Sequence, residues 1–162
     1  MVDMAELPEI ARCAEALGFE GLVLGDHLLG HKVPHGLVDG HRVSWGDDVQ
    51  WPDVWVQIAA LSGLTRRLKF MTGVYVLPLR DPFTVAKALS TAAIVTDGRL
   101  IAGVGVGWER REFEAVGQRF EDRGRRADEM LVVIKKLLSG ASVSHAGEFY
   151  RFTDVRMSRY LR

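Results

Sequence analysis

The sequence predicts an α/β chain of repeated β–α units around a parallel sheet, part of a larger α/β barrel. Three observations carry that expectation. Short apolar runs alternate with segments of helical periodicity along most of the chain. These runs are bounded by turn residues and show no polar alternation, as in strands buried on both faces. The stretch Asp97-Gly98-Arg99-Leu100-Ile101-Ala102-Gly103-Val104-Gly105-Val106-Gly107-Trp108 joins a turn, a buried strand and the approach to a helix. Its alternating Gly103, Gly105 and Gly107 leave one side of the strand without side chains, so a planar ligand or another backbone can come close.

Taken in order, Asp3 and Glu6 have the spacing of a capping box, and Leu7, Ile10, Ala14 and Leu17 follow at helical intervals until Gly18 stops the helix. Gly21 to Gly25 reads as a short buried strand that delivers Asp26 and His27 at its C-terminal end. Leu28 to Pro52 has no periodicity and holds Trp45 and Trp51; a loop of that length is usually functional or mobile. Pro52 or Asp53 opens a second helix, with Val54, Ile58 and Leu61 on one face. Leu68 to Leu77 is the second strand. Asp81-Pro82 caps a third helix with Phe83, Ala86, Leu89 and Ala93 facing inward. After the glycine-rich strand come a short helix from Glu109 to about Val116 and a longer one from about Glu121 to Leu138, carrying Met130, Val133, Ile134 and Leu137 inward. Gly140 ends it, and Val143 to Val155 alternates like a β-hairpin turning at Ala146-Gly147.

Composition narrows the function classes. The 162 residues are 48% hydrophobic and 26% charged, as expected of one globular domain spanning residues 1–162. Twenty-one basic residues balance twenty-one acidic ones, which leaves no electrostatic footprint for nucleic acid or an anionic membrane. No run approaches the ~20 apolar residues that span a bilayer. With Asp3 near the start and no signal-type apolar segment, a cytoplasmic location is expected. Cys13 has no partner for an intrachain disulfide and reads as a buried, inert thiol on the apolar side of the first helix. Arg123, Arg125 and Arg126 alternate with Glu121, Asp122, Asp128 and Glu129, a neutralised helix entrance.

Several stretches resemble the bacterial luciferase-like flavin monooxygenases and the deazaflavin (coenzyme F420)-dependent oxidoreductases. They are Ala14 to Glu20 running into Leu24-Gly25-Asp26-His27; Thr72-Gly73-Val74 with Leu77-Pro78-Leu79-Arg80-Asp81-Pro82; Asp97 to Leu100 with Gly103 to Trp108 and Glu112-Phe113; and Gly147-Glu148-Phe149-Tyr150. The glycine-rich stretch and the Asp-His pair are similar to the deazaflavin branch. The resemblance implies a (β/α)8 TIM barrel with its site at the C-terminal ends of the strands. Such a barrel takes ~250 residues, so the chain is expected to be roughly its N-terminal half, lacking the first strand. Apolar parallel strands with bare edges are then expected to self-associate, two copies pairing edges.

The candidate site follows from these residues. A histidine at a strand end can exchange a proton near neutral pH, as alcohol oxidation coupled to hydride transfer requires. The plain reading of His27 is a strand-end histidine bonded to its own loop; the resemblance implies contact with the deazaflavin or its substrate. With Asp26 and Glu112 it forms the candidate catalytic set. The resemblance places His27, Thr72, Gly73, Val74, Gly105, Gly107 and Trp108 at the cofactor, and implies a cis peptide at Gly73-Val74 against the ring; an ordinary glycine bulge is the alternative. Some deazaflavin dehydrogenases carry a glutamate where this chain has Trp108, so their acid–base assignment does not transfer. The glycines do not spell G-x-G-x-x-G, because the sixth position falls on Trp108 or Arg110. His31, His35 and His41 with Asp39, Asp47 and Asp48 fit no ordered metal-ligand spacing. The expected cofactor is coenzyme F420, with FMN and a monooxygenase as the alternative. A non-catalytic, self-associating half-barrel is the rival from another class.

Overall fold

A computed structural model describes residues 4–30 and 49–158, together with the backbone of 36–38 and 41–43. Helix α1 (Leu7–Ala16) leads into strand β1 (Gly21–Leu24), followed by a small antiparallel pair, β2 (Gly36–Val38) and β3 (His41–Val43). Helix α2 (Val54–Ser62) precedes β4 (Lys69–Thr72) and β5 (Tyr75–Val76). Helix α3 (Pro82–Val95) precedes β6 (Leu100–Ile101) and β7 (Val104–Gly105). Helices α4 (Arg110–Ala115) and α5 (Arg123–Leu138) then lead to an antiparallel hairpin of β8 (Val143–Ala146) and β9 (Arg151–Val155).

The sheet is parallel, in the order β1-β4-β6, and β5 pairs with β7 just beyond it. The two long strands expected at Leu68–Leu77 and Leu100–Val106 are therefore each broken in two. The first breaks at Gly73-Val74, whose peptide bond is cis, and the second at Ala102-Gly103. Among the described residues β1 and β6 are open edges and the sheet does not close, so these residues alone form no complete barrel.

Helices cover one face only. Leu24, Phe70 and Thr72 are buried against them, in a core that includes Ile58, Leu68, Val85, Met130 and Val133. Each such side chain contributes about 1.5–3 kcal/mol through burial. On the other face Val23, Met71 and Ile101 stand in one row across the strands, and Val23 is 66% exposed. The strands are thus buried on one face, not both.

Sequence signals place the helix starts well. Asp53 accepts from the N–H groups of Trp55 and Val56, and Asp81 from those of Phe83 and Thr84. The inward residues expected of α2 and α5 are buried. In α3 the buried stripe is Val85, Ala86 and Ala92, with Phe83, Leu89 and Ala93 half-buried. At α1 the N-cap is Glu6, which makes no side-chain cap bond, and the capping box expected of Asp3 and Glu6 rests on Asp3, which lies outside the described residues. Cys13 is exposed beside Glu9, since α1 turns Ala11 and Ala14 inward instead. No helix of the described residues is long and apolar enough to cross a membrane.

Candidate active site

The residues singled out in the sequence converge at the C-terminal ends of the parallel strands. There a cleft of about 400 Å³ is lined by Asp26 and His27 after β1, Gly73 and Val74 between β4 and β5, and Gly107 and Trp108 after β7. Gly25, Trp51, Val76 and Val106 complete it. Cofactor and substrate pockets commonly run from about 300 to 1,000 Å³, so a ring system fits. Thr72, Gly105 and Glu112 stand behind this lining.

His27 is fixed from below and from the sides. Its Nδ1 lies 3.1 Å from Glu112 Oε1, and its ring meets Trp51 edge-on at 4.6 Å and Trp108 at 5.7 Å. Glu112, in the first turn of α4, is fully buried. The same Oε1 accepts from the backbone N–H of Leu28 at 2.7 Å and of Leu29 at 3.2 Å. Burial pushes the Glu112 carboxyl up, but the His27 hydrogen bond and the N–H groups of Leu29 and Leu28 outweigh it and hold the group below its ordinary value. A carboxylate there only accepts, so Nδ1 carries the proton that His27 donates to it.

Asp26 is buried and committed elsewhere. Arg80 Nη2 donates to its Oδ1 at 2.7 Å, Nη1 pairs with Oδ2 at 2.7 Å, and the Val76 N–H donates to Oδ2 at 3.1 Å. Arg80 also donates to the Val76 carbonyl and lies over the Tyr75 ring, 4.5 Å from its centroid. This pair ties the strand ends of β1 and β5 beneath the cleft.

The glycines admit protein rather than leaving bare wall. A Cβ on Gly105 would stand 2.5 Å from the Val74 side chain, and one on Gly107 2.6 Å from Val76 and 3.0 Å from the Phe113 ring. One on Gly103 would strike the Thr72 carbonyl, and the Thr72 hydroxyl donates to the Gly103 carbonyl at 2.7 Å. The missing side chains thus let β4–β5 and its loop lie tight against the neighbouring strand and push Val74 into the cleft. Sequence reasoning missed Arg80 and Trp51 as site residues. Arg80 stood in a matching motif but 54 residues from Asp26, a pairing no local pattern signals. His31, His35, Asp39, Asp47 and Asp48 lie outside the described residues, and of His41 only the backbone is described.

Residues 2–160 match the profile of the luciferase-like monooxygenases. The chain belongs to that family. Its relatives include an uncharacterized protein of Mycobacterium tuberculosis, 31% identical over 98% of this chain and 56% of the relative. Another is an F420-dependent glucose-6-phosphate dehydrogenase of Segniliparus rotundus, 30% identical over 92% of this chain and 42% of the relative. The chain thus spans about half the length of the relatives it matches. Among solved structures, an F420-dependent secondary alcohol dehydrogenase with an F420-acetone adduct superposes with a TM-score of 0.77, covering 96% of this chain and 44% of the other at 21% identity. The FMN-bound oxygenating component of a Pseudomonas putida 3,6-diketocamphane monooxygenase also gives 0.77, covering 97% and 42% at 17% identity. At these identities the two structures show a shared α/β fold.

Proposed function

We propose that the site moves a hydride between coenzyme F420 and a small organic substrate, with His27 exchanging the substrate's proton. The observation that carries this reading is the His27–Glu112 pair at the foot of the cleft. With Nδ1–H held by a buried carboxylate, Nε2 is the ring atom able to take a proton from a substrate hydroxyl, and Glu112 stabilises the imidazolium that forms. A bound deazaflavin would supply the two-electron hydride chemistry. Gly73, Val74, Gly107 and Trp108 would flank its ring, with Thr72 and Gly105 acting behind them. His27 is the catalytic residue in this scheme; Asp26 and Glu112 are positioning residues.

Relatives that use F420 support the deazaflavin, and the FMN-bound neighbour keeps a flavin monooxygenase as the second reading. The exposed row headed by Val23 and the open edges of β1 and β6 among the described residues support self-association, the two copies covering each other's sheet. The test is turnover of F420 with a panel of secondary alcohols by the wild type and His27→Asn. Loss of about 10²–10⁴-fold in turnover, with F420 still bound, is the expected result. Equal turnover by the variant would remove His27 from the chemistry, and oxygen-dependent turnover with FMN alone would replace the reading with the monooxygenase.

A further inference from the structure

Two side chains continue the sheet where its main-chain ladder stops. β1 pairs with β4, but among the described residues β5 pairs with β7 and not with β1. Tyr75 donates its N–H to the Gly103 carbonyl, on the β7 side. Val76 is extended, so its N–H and C=O both point the opposite way. There they meet side chains in place of a strand. The N–H donates to Asp26 Oδ2 at 3.1 Å, and the carbonyl accepts from Arg80 Nη1 at 3.0 Å. The same guanidinium holds both Asp26 oxygens at 2.7 Å. Asp26 directly precedes His27, and Val76 lies two residues beyond Val74, so this bridge joins the two sides of the cleft. Arg80 has a side chain 14% exposed and that of Asp26 is 3% exposed, so water screens the pair little.

We infer that Arg80 is a positioning residue that acts through Asp26 and the Val76 peptide to set the spacing between His27 and Val74. Glu112 grips the chain on one side of His27, at the N–H groups of Leu28 and Leu29, and Arg80 fixes the other side through Asp26. In the reaction, that spacing is the distance from the proton-exchanging ring to the cofactor ring beside Val74. This consequence rests on the proposed hydride transfer; the bridge from β1 to β5 stands on the geometry alone. The task suits arginine, whose planar fork serves two carboxylate oxygens and a carbonyl at once. A lysine keeps the charge but loses the fork, so the spacing slackens while the buried Asp26 stays paired.

The test compares the whole chain with Arg80→Lys and with the double variant Asp26→Asn/Arg80→Gln, which removes both buried charges together. The readouts are the Val74 methyl and His27 ring resonances, F420 affinity, and kcat and KM with a secondary alcohol. Arg80→Lys is expected to move both sets of resonances and to lower kcat by about 10- to 100-fold, the scale of a misplacement near 1 Å. KM and F420 affinity should stay within about threefold, the split that separates positioning from a general loss of structure. The double variant should fold without recovering kcat, and it decides the matter if Arg80→Lys does not fold. Resonances and kcat like those of the wild type in either variant would overturn the inference, as would a raised KM with kcat intact. If the wild type itself does not turn over F420, the hydride-transfer reading falls. The resonances then decide alone: shifts at both Val74 and His27 uphold the bridge, and unmoved resonances overturn it.

Discussion

One oxygen atom of Glu112, Oε1, meets the His27 ring nitrogen and two successive backbone N–H groups. Because the carboxyl is held below its ordinary value, it stabilises the fold above the pH at which an unfolded glutamate titrates. That stability is lost as the pH falls through the lower, folded value. Replacing Glu112 by Gln should cost about 1.5–3 kcal/mol near neutral pH, the scale of hydrogen bonds to a charged group. Urea unfolding at several pH values would show the gap between wild type and variant closing on acidification; a gap independent of pH would refute the assignment. Gly107 offers a second residue-scale test. Its φ is +77° and a Cβ there meets Val76 and Phe113, whereas Gly18, at +82°, has open space around it. Gly18→Ala should cost about 1–2 kcal/mol for the left-handed backbone alone, and Gly107→Ala distinctly more. Equal denaturation midpoints would contradict the close packing of β5 against β7.

The same device recurs between elements. Glu15 at the end of α1 accepts from the N–H groups of Arg66, Arg67 and Leu68, just before β4. Glu129 on α5 accepts from those of Glu148, Phe149 and Tyr150 and bonds the His145 ring at 3.0 Å. Glu112 belongs to this set, but its histidine alone stands in the cleft lining. Glu129→Ala should release the β8–β9 hairpin from α5, seen as faster amide exchange at residues 148–150 with the middle of α5 unchanged. Unaltered exchange there would mean that apolar packing, such as the 5.1 Å contact of Phe83 with Phe152, holds the hairpin without the carboxylate. None of these carboxylates was legible as a staple, because each reaches a loop 19 to 85 residues away and leaves no periodic trace. What is local was legible: the aspartate caps of α2 and α3, the apolar stripe of α5 and the turn at Asp97-Gly98. The breaks in the strands were not, since they arise where glycines meet a neighbouring strand.

Across the whole molecule, the sequence order of strand, site residue and helix predicted where the cleft lies. Residues from three strand ends meet there because parallel strands all point their C-termini the same way. Burial of both sheet faces was misjudged, because an apolar run looks alike whether one side or two are covered. With Val23 66% exposed and β1 and β6 as open edges among the described residues, the melting temperature should rise with protein concentration. A concentration-independent transition would speak against self-association.

The measurement that bears most directly on the proposed function is thermal unfolding with coenzyme F420 and with FMN, each at several protein concentrations. A ligand present at 100 times its Kd and bound only to the folded chain adds about 2.7 kcal/mol, a readily visible shift. The expected result is a higher melting temperature with F420, and none with FMN. A chain whose transition moves with neither, while still rising with protein concentration, would contradict the cofactor site and leave a self-associating scaffold.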